Sequence, residues 1–291
     1  MPYRMMSGLI LVAMLSGCVS IKESTPIRQE AVEKGLVITR ELPKKLPGKT
    51  HVVPDAQFVI VNSDSTIIAL AMLLNPIPVP IPGEDYVLGG AYNDHQAKTY
   101  RGNFDSVDPY VVATERMAGS PLLSQRADAL KLLPFVYVIE GSDDICRATL
   151  VFRVDSGDWV GRYMYHLPTT YKMVQLQKPD QAMLDVMRQE MVAGADTLRS
   201  LMERDAKGQL KGDGRHAAIG SYYLVGSRVG GIMPASMMIS EADIIEEGTD
   251  YVVLRAKGDI TQDATDGALQ YGVHYFWKDQ LNTFKVIPPK K

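Results

Sequence analysis

At 291 residues the chain can bury one large core or two modest ones, and 46% hydrophobic with 22% charged residues excludes disordered and fibrous classes. Lys and Arg total 31 against 34 Asp and Glu, a slightly acidic balance that argues against a nucleic-acid partner, which demands a basic face.

Met1 to Arg4 brings an amino group and one basic side chain, and Leu9-Ile10-Leu11-Val12-Ala13-Met14-Leu15 follows as an unbroken apolar run. That run is too short to cross a hydrocarbon core, which takes about 20 helical residues, so it has the layout of a signal peptide. It ends in Leu15-Ser16-Gly17-Cys18: an aliphatic residue, two small residues able to thread a narrow peptidase cleft, then a cysteine. This run resembles the lipobox of bacterial lipoproteins. The resemblance implies cleavage between Gly17 and Cys18, a diacylglycerol thioether on the Cys18 thiol, an acylated amine, and hence the lipid bilayer as a partner. In such proteins an Asp after the cysteine commonly marks the inner membrane; Val19 stands here, which implies the outer membrane, facing the periplasm.

Beyond the signal peptide (1–17), residues 18–50 read as a lipidated N-terminus and tether, rich in charge, Pro and Gly, with one short strand candidate at Leu36-Val37-Ile38. Residues 51–176 read as a β-rich part with two short helices. Gln57 to Val61 is a strand candidate, and Asn62-Ser63-Asp64-Ser65 offers caps for a helix through Leu74. Pro76, Pro78, Pro80 and Pro82 then alternate with Ile77, Val79 and Ile81, which forces an extended backbone. This segment reads either as a buried helix with an extended crossing or as a membrane-touching element. Three strand-like runs are expected from Tyr86 to Met117, and the spacing of Leu123, Ala127 and Leu130 predicts a helix over Pro121–Leu133. Phe135–Glu140, Ile145–Asp155 and Trp159–Leu167 read as antiparallel neighbours.

Residues 177–291 read as a long helix followed by antiparallel sheet. Pro179 and Asp180 open the helix and Gly208 is placed to close it. Leu184, Met187, Met191, Ala195, Leu198 and Met202 recur at three- and four-residue steps, so they share one face, read as core. Strands are expected at Ala218–Gly226, Ser236–Ile245, Tyr251–Lys257, Ala268–Trp277 and Thr283–Ile287. The fold class is therefore α+β: mainly antiparallel sheet with one long amphipathic helix between two β-rich parts.

With Cys18 lipidated, Cys146 has no partner among the two cysteines. It shares a strand face with Ala148, Leu150, Phe152 and Val154, opposite Arg147, Thr149, Arg153 and Asp155, and so reads as a buried small hydrophobe. Gly48-Lys49-Thr50 lacks the earlier glycine of a phosphate cradle, and Gly226-Ser227-Arg228-Val229-Gly230 is no nucleophile elbow. The five histidines include no pair at helical ligand spacing, so no metal and no cofactor is expected. Two weak binding candidates are the loop carrying Asp213, Arg215 and His216 and the aromatic strand with Tyr163, Tyr165 and His166, joined by Tyr171. The function this leaves is an anchored envelope module, non-catalytic, binding a protein or cell-wall partner. The alternatives are an envelope hydrolase using Asp213, His216 or His166, and a small-ligand binder with a pocket between the β-rich parts.

Overall fold

The computed structural model describes residues 21–22, 24–42, 50–61, 98–140, 145–156, 159–219, 224–225, 235–236, 239–256, 258–259, 271–281 and 283–288. The signal peptide, Gly17, Cys18 and the expected helix and proline alternation between Ile67 and Pro82 lie outside them.

Eleven strands form one sheet: β1 (Leu36–Ile38), β2 (Thr50–Val53), β3 (Phe58–Val61), β4 (Leu130–Glu140), β5 (Ile145–Ser156), β6 (Trp159–Lys172), β7 (His216–Ile219), β8 (Ile239–Glu247), β9 (Tyr251–Ala256), β10 (Gly272–Trp277) and β11 (Phe284–Ile287). From edge to edge the order is β11-β7-β8-β9-β10-β6-β5-β4-β3-β2, and β1 shares the outer edge of β4 with β3. Most neighbours are antiparallel; β10 on β6, β1 on β4 and β3 on β4 are parallel. Helices among the described residues include α1 (Gln29–Lys34), α2 (Pro109–Met117), α3 (Met173–Gln177) and α4 (Gln181–Ala206). The fold is α+β with a mixed, mostly antiparallel sheet.

The parallel pair β10–β6, with Val273 opposite Tyr163 and Tyr275 opposite Tyr165, makes the strands before and after α4 a single sheet. The two β-rich stretches of the sequence are thus continuous in one sheet.

Both faces of the central strands are covered. On the helix side, Cys146, Ala148, Leu150, Phe152 and Val154 of β5 join Tyr163, Tyr165 and Leu167 of β6 and the α4 residues Met187, Met191, Ala195, Leu198 and Met202 in one cluster of buried residues. On the other side Phe135, Tyr137, Ile139, Val151, Met164, Leu254 and Phe276 form a second cluster. Period-two alternation explains both, since successive side chains of one strand feed opposite faces. Thr149 and Arg153 are buried on that second face, although their polarity marks them in sequence as a solvated one.

The ends of α4 follow their local chemistry. The Asp180 carboxylate accepts from the Met183 N–H at 2.8 Å, satisfying a donor that has no helical partner, and Gly208 takes φ +66° just beyond the end, where glycine carries no Cβ penalty.

Three expectations are corrected. The last of the strand-like runs before Met117 is helix α2, because Asp108 caps it by accepting from the Tyr110 N–H at 2.8 Å and Pro109 supplies the first helical φ. The helix expected over Pro121–Leu133 is a set of turns, and β4 begins at Leu130. Pairing of an apolar eleven-residue strand along β5 outweighs three residues at helical spacing. Within the stretch read as a tether, residues 24–42 pack on the body, with Ile27, Ala31 and Leu36 buried and β1 paired to β4.

Candidate functional site

Strand β6 carries most of the candidate residues, and its alternation sends them in opposite directions. Tyr163 is buried against the end of α4, where its hydroxyl donates to Asp205 Oδ2 at 2.6 Å. The other Asp205 oxygen accepts from Arg255 Nη2 at 2.7 Å, and Oδ2 also accepts the backbone N–H of Ile27 at 3.0 Å. Side-chain exposure is 1% for Asp205 and 7% for Arg255, so this is a desolvated ion pair whose remaining lone pairs are satisfied by a phenol and an amide. Burial, then the Asp205 charge, pushes the Tyr163 phenol well above its ordinary pKa. Tyr163 is therefore buried beside the Asp205 carboxylate that also holds Ile27, apart from any open aromatic surface.

His166 points to the opposite face and is fully buried. Its Nδ1 lies 3.0 Å from Thr149 Oγ1 and its Nε2 lies 3.1 Å from Nδ1 of His274. The two imidazoles are coplanar to 1°, and His166 stacks on Phe276 with centroids 4.0 Å apart. Burial, reinforced by His274, holds the His166 pKa well below its usual value. A shared hydrogen bond between facing ring nitrogens needs one of them bare, so two imidazolium ions would point N–H at N–H. The arrangement excludes two imidazolium ions, and Thr149, His166 and His274 are bonded edge to edge across β5, β6 and β10. His166 and Tyr165 do not share a surface, contrary to their grouping in one aromatic patch.

Tyr165 faces α4. Its ring stacks on Tyr275 with centroids 5.1 Å apart, Tyr275 stacks on Tyr251 at 4.9 Å, and Trp277 meets Tyr275 edge-on at 5.4 Å. Tyr165 is buried, whereas Tyr251, Tyr275 and Trp277 are partly exposed. Burial pushes the phenols of Tyr165 and Tyr275 up to about 12. Beside this row the half-buried Glu190 accepts from the Thr169 N–H at 3.2 Å and from its hydroxyl at 2.5 Å. Burial raises the Glu190 pKa, and the Thr169 bonds oppose the rise. Tyr171 is buried.

The loop after α4 is a chain of ion pairs. Asp213 accepts from the Arg215 N–H at 3.0 Å and its guanidinium at 2.7 Å, Arg215 also meets Glu247 at 2.7 Å, and Glu247 meets Lys278 at 2.9 Å. The Arg215 backbone bond, then its side chain, holds the Asp213 carboxyl below its usual range. His216 Nδ1 stands 3.0 Å from Asp243 Oδ1. Asp213, His216 and His166, the residues named for a hydrolase, thus each hold a different partner. Among the described residues no group of three or more His, Cys, Asp or Glu is placed to hold a metal. Cys146 is fully buried.

Asp205, Arg255, His274, Glu190 and Tyr275 were not singled out from sequence. Asp205 had a readable signal: it continues the Leu198, Leu201, Met202 stripe at a three-residue step, a carboxylate where the helix turns inward. His274 had a weaker one, alternating with Phe276 in an apolar strand.

No protein-family model, no curated protein and no solved structure matches the chain.

Proposed function

We propose that this chain is a membrane-anchored envelope lipoprotein, held by acyl chains on Cys18 at the outer membrane on its periplasmic side, with a body that is a non-catalytic module for a protein or cell-wall partner. The observation that carries the reading is Leu15-Ser16-Gly17-Cys18 behind a short apolar run. The packing suits an anchored module. The chain is pinned at Ile27 through the buried Asp205, so a pull on the anchor is taken up by the core. One long amphipathic helix, between two β-rich stretches, turns its methionine stripe inward and leaves the flanking aromatic row of Tyr251, Tyr275 and Trp277 for a partner. Partly exposed aromatic rings contribute most where they become buried by a second molecule.

Two measurements test this. Metabolic labelling with a clickable fatty acid should mark wild type and leave Cys18→Ala unlabelled and unprocessed; equal labelling of the variant removes the anchor. Crosslinking in intact envelopes should yield a discrete adduct that disappears in Tyr251→Ala with Tyr275→Ala, provided the doubly substituted domain keeps its cooperative melt. An unchanged adduct pattern removes the aromatic row as the binding face.

A further inference from the structure

We infer that the end of the fold around the turn after α4 lies directly on the lipid surface, with α4 directed away from it. The inference rests on the anchoring of Cys18 proposed above.

Ile21–Lys22 pairs antiparallel with Gly258–Asp259, Ile21 opposite Asp259. Ser24 and Thr25 then lie beside Tyr271, and Ile27 is fastened to Asp205. These contacts lie at one end of the molecule. Gly258 follows β9 closely, Tyr271 immediately precedes β10, and Asp205 lies in the last turn of α4. The Arg255 guanidinium that holds Asp205 also reaches the Leu210 carbonyl at 3.4 Å, which brings the turn 207–210 to the same end. Cys18 precedes Ile21 by three residues, and a fully extended chain advances at most about 3.6 Å per residue. The acylated residue is therefore within about 11 Å of the Ile21 backbone, wherever that short connection runs. A leash of that length cannot carry the body clear of the headgroups.

The charge on this end fits a lipid partner. Arg28, Lys207 and Lys211 are exposed there, and basic side chains near a surface are drawn to anionic headgroups. Asp180, capping the other end of α4, stands 26 helical residues away, about 39 Å at 1.5 Å per residue. The aromatic row lies along the flank of α4: Tyr165 meets Gly194 at mid-helix, and Tyr251 is joined through Glu246 to Arg204.

The test uses the full acylated protein, purified from membranes and placed in phosphatidylethanolamine–phosphatidylglycerol vesicles containing a lipid with a nitroxide on its headgroup, which quenches only near contact. A thiol-reactive fluorophore is attached natively at Gln209→Cys or at Gln181→Cys, both exposed positions; wild type, with Cys146 buried, serves as the unlabelled control. Mass measurement on each sample reads acylation. On the acylated chain the dye at 209 should lose most of its emission and the dye at 181 almost none. Quenching at both, or at neither, overturns the orientation and leaves the anchor standing. A chain found unacylated overturns the anchor, and the orientation with it.

Discussion

Gly194 lies against the ring of Tyr165: a Cβ on Gly194 would stand 2.6 Å from Tyr165 Cδ1 and 3.0 Å from Cγ. Helix α4 can approach β6 this closely only because the helix carries no side chain at that point. Alanine is the better helix former by about 1 kcal/mol, yet Gly194→Ala should lower stability by about 1–2 kcal/mol, because the ring is hemmed in by Tyr275 and Trp277 and overpacking outweighs propensity. Thermal unfolding decides, and an unchanged or higher Tm would contradict the close approach.

The two sides of α4 separate core from surface. Met191 is fully buried, and Met191→Ala should cost about 2–5 kcal/mol through lost burial and a residual cavity. Arg188, 39% exposed and paired with Glu115 at 3.1 Å, should cost no more than about 1 kcal/mol on substitution by Ala. Denaturant unfolding of protein lacking residues 1–18 reads both; equal effects would remove the core assignment.

Asp205→Ala strands the buried Arg255 guanidinium and cuts the bond to Ile27 together. Removing one partner of a buried pair costs about 3–5 kcal/mol, so a large loss of stability is expected. Under native conditions trypsin should also cut faster after the exposed Arg28. Asp205→Asn, which keeps one acceptor oxygen and replaces the other by a donor NH2, should fall between. Unaltered proteolysis in Asp205→Ala would mean that the segment is held elsewhere.

The His166 pKa lies below its unfolded value of about 6.5. Above that pH both states are neutral and the site adds no pH dependence. As pH falls below about 6.5 the unfolded chain takes up a proton that the folded one refuses, so stability drops until the folded pKa is reached. Wild type should therefore lose stability relative to His166→Gln between about pH 7 and pH 5, measured as the difference in urea midpoints. A difference flat across that interval would show that the imidazole is hydrated.

Cys146 has a fully buried side chain, so alkylation of the native protein should be slow and should track unfolding. Modification at the rate of a free thiol would overturn the placement of β5.

Local patterns in the sequence carry a good deal of this fold. Alternation along 146–154 placed Cys146, Ala148, Leu150, Phe152 and Val154 on one face, and all five are buried together; Pro179, Asp180 and Gly208 marked the ends of α4 to within two residues. Such features depend on backbone geometry and on residues a few positions apart, which the chain records directly. What the tertiary structure decided is which faces meet. Leu123, Ala127 and Leu130 have a helical spacing, and only pairing with β1 and β5 makes the chain from Leu130 onward a strand. Val160 to Tyr165 and Tyr271 to Phe276 look alike in sequence as aromatic strands; that they lie side by side and parallel, joining strands before and after α4 into the eleven-stranded sheet, follows from contacts over a hundred residues apart. Thr149, Arg153, His166 and His274 are buried on the second face of the sheet, and burial, which depends on what packs against a strand, leaves no mark in the strand's own alternation.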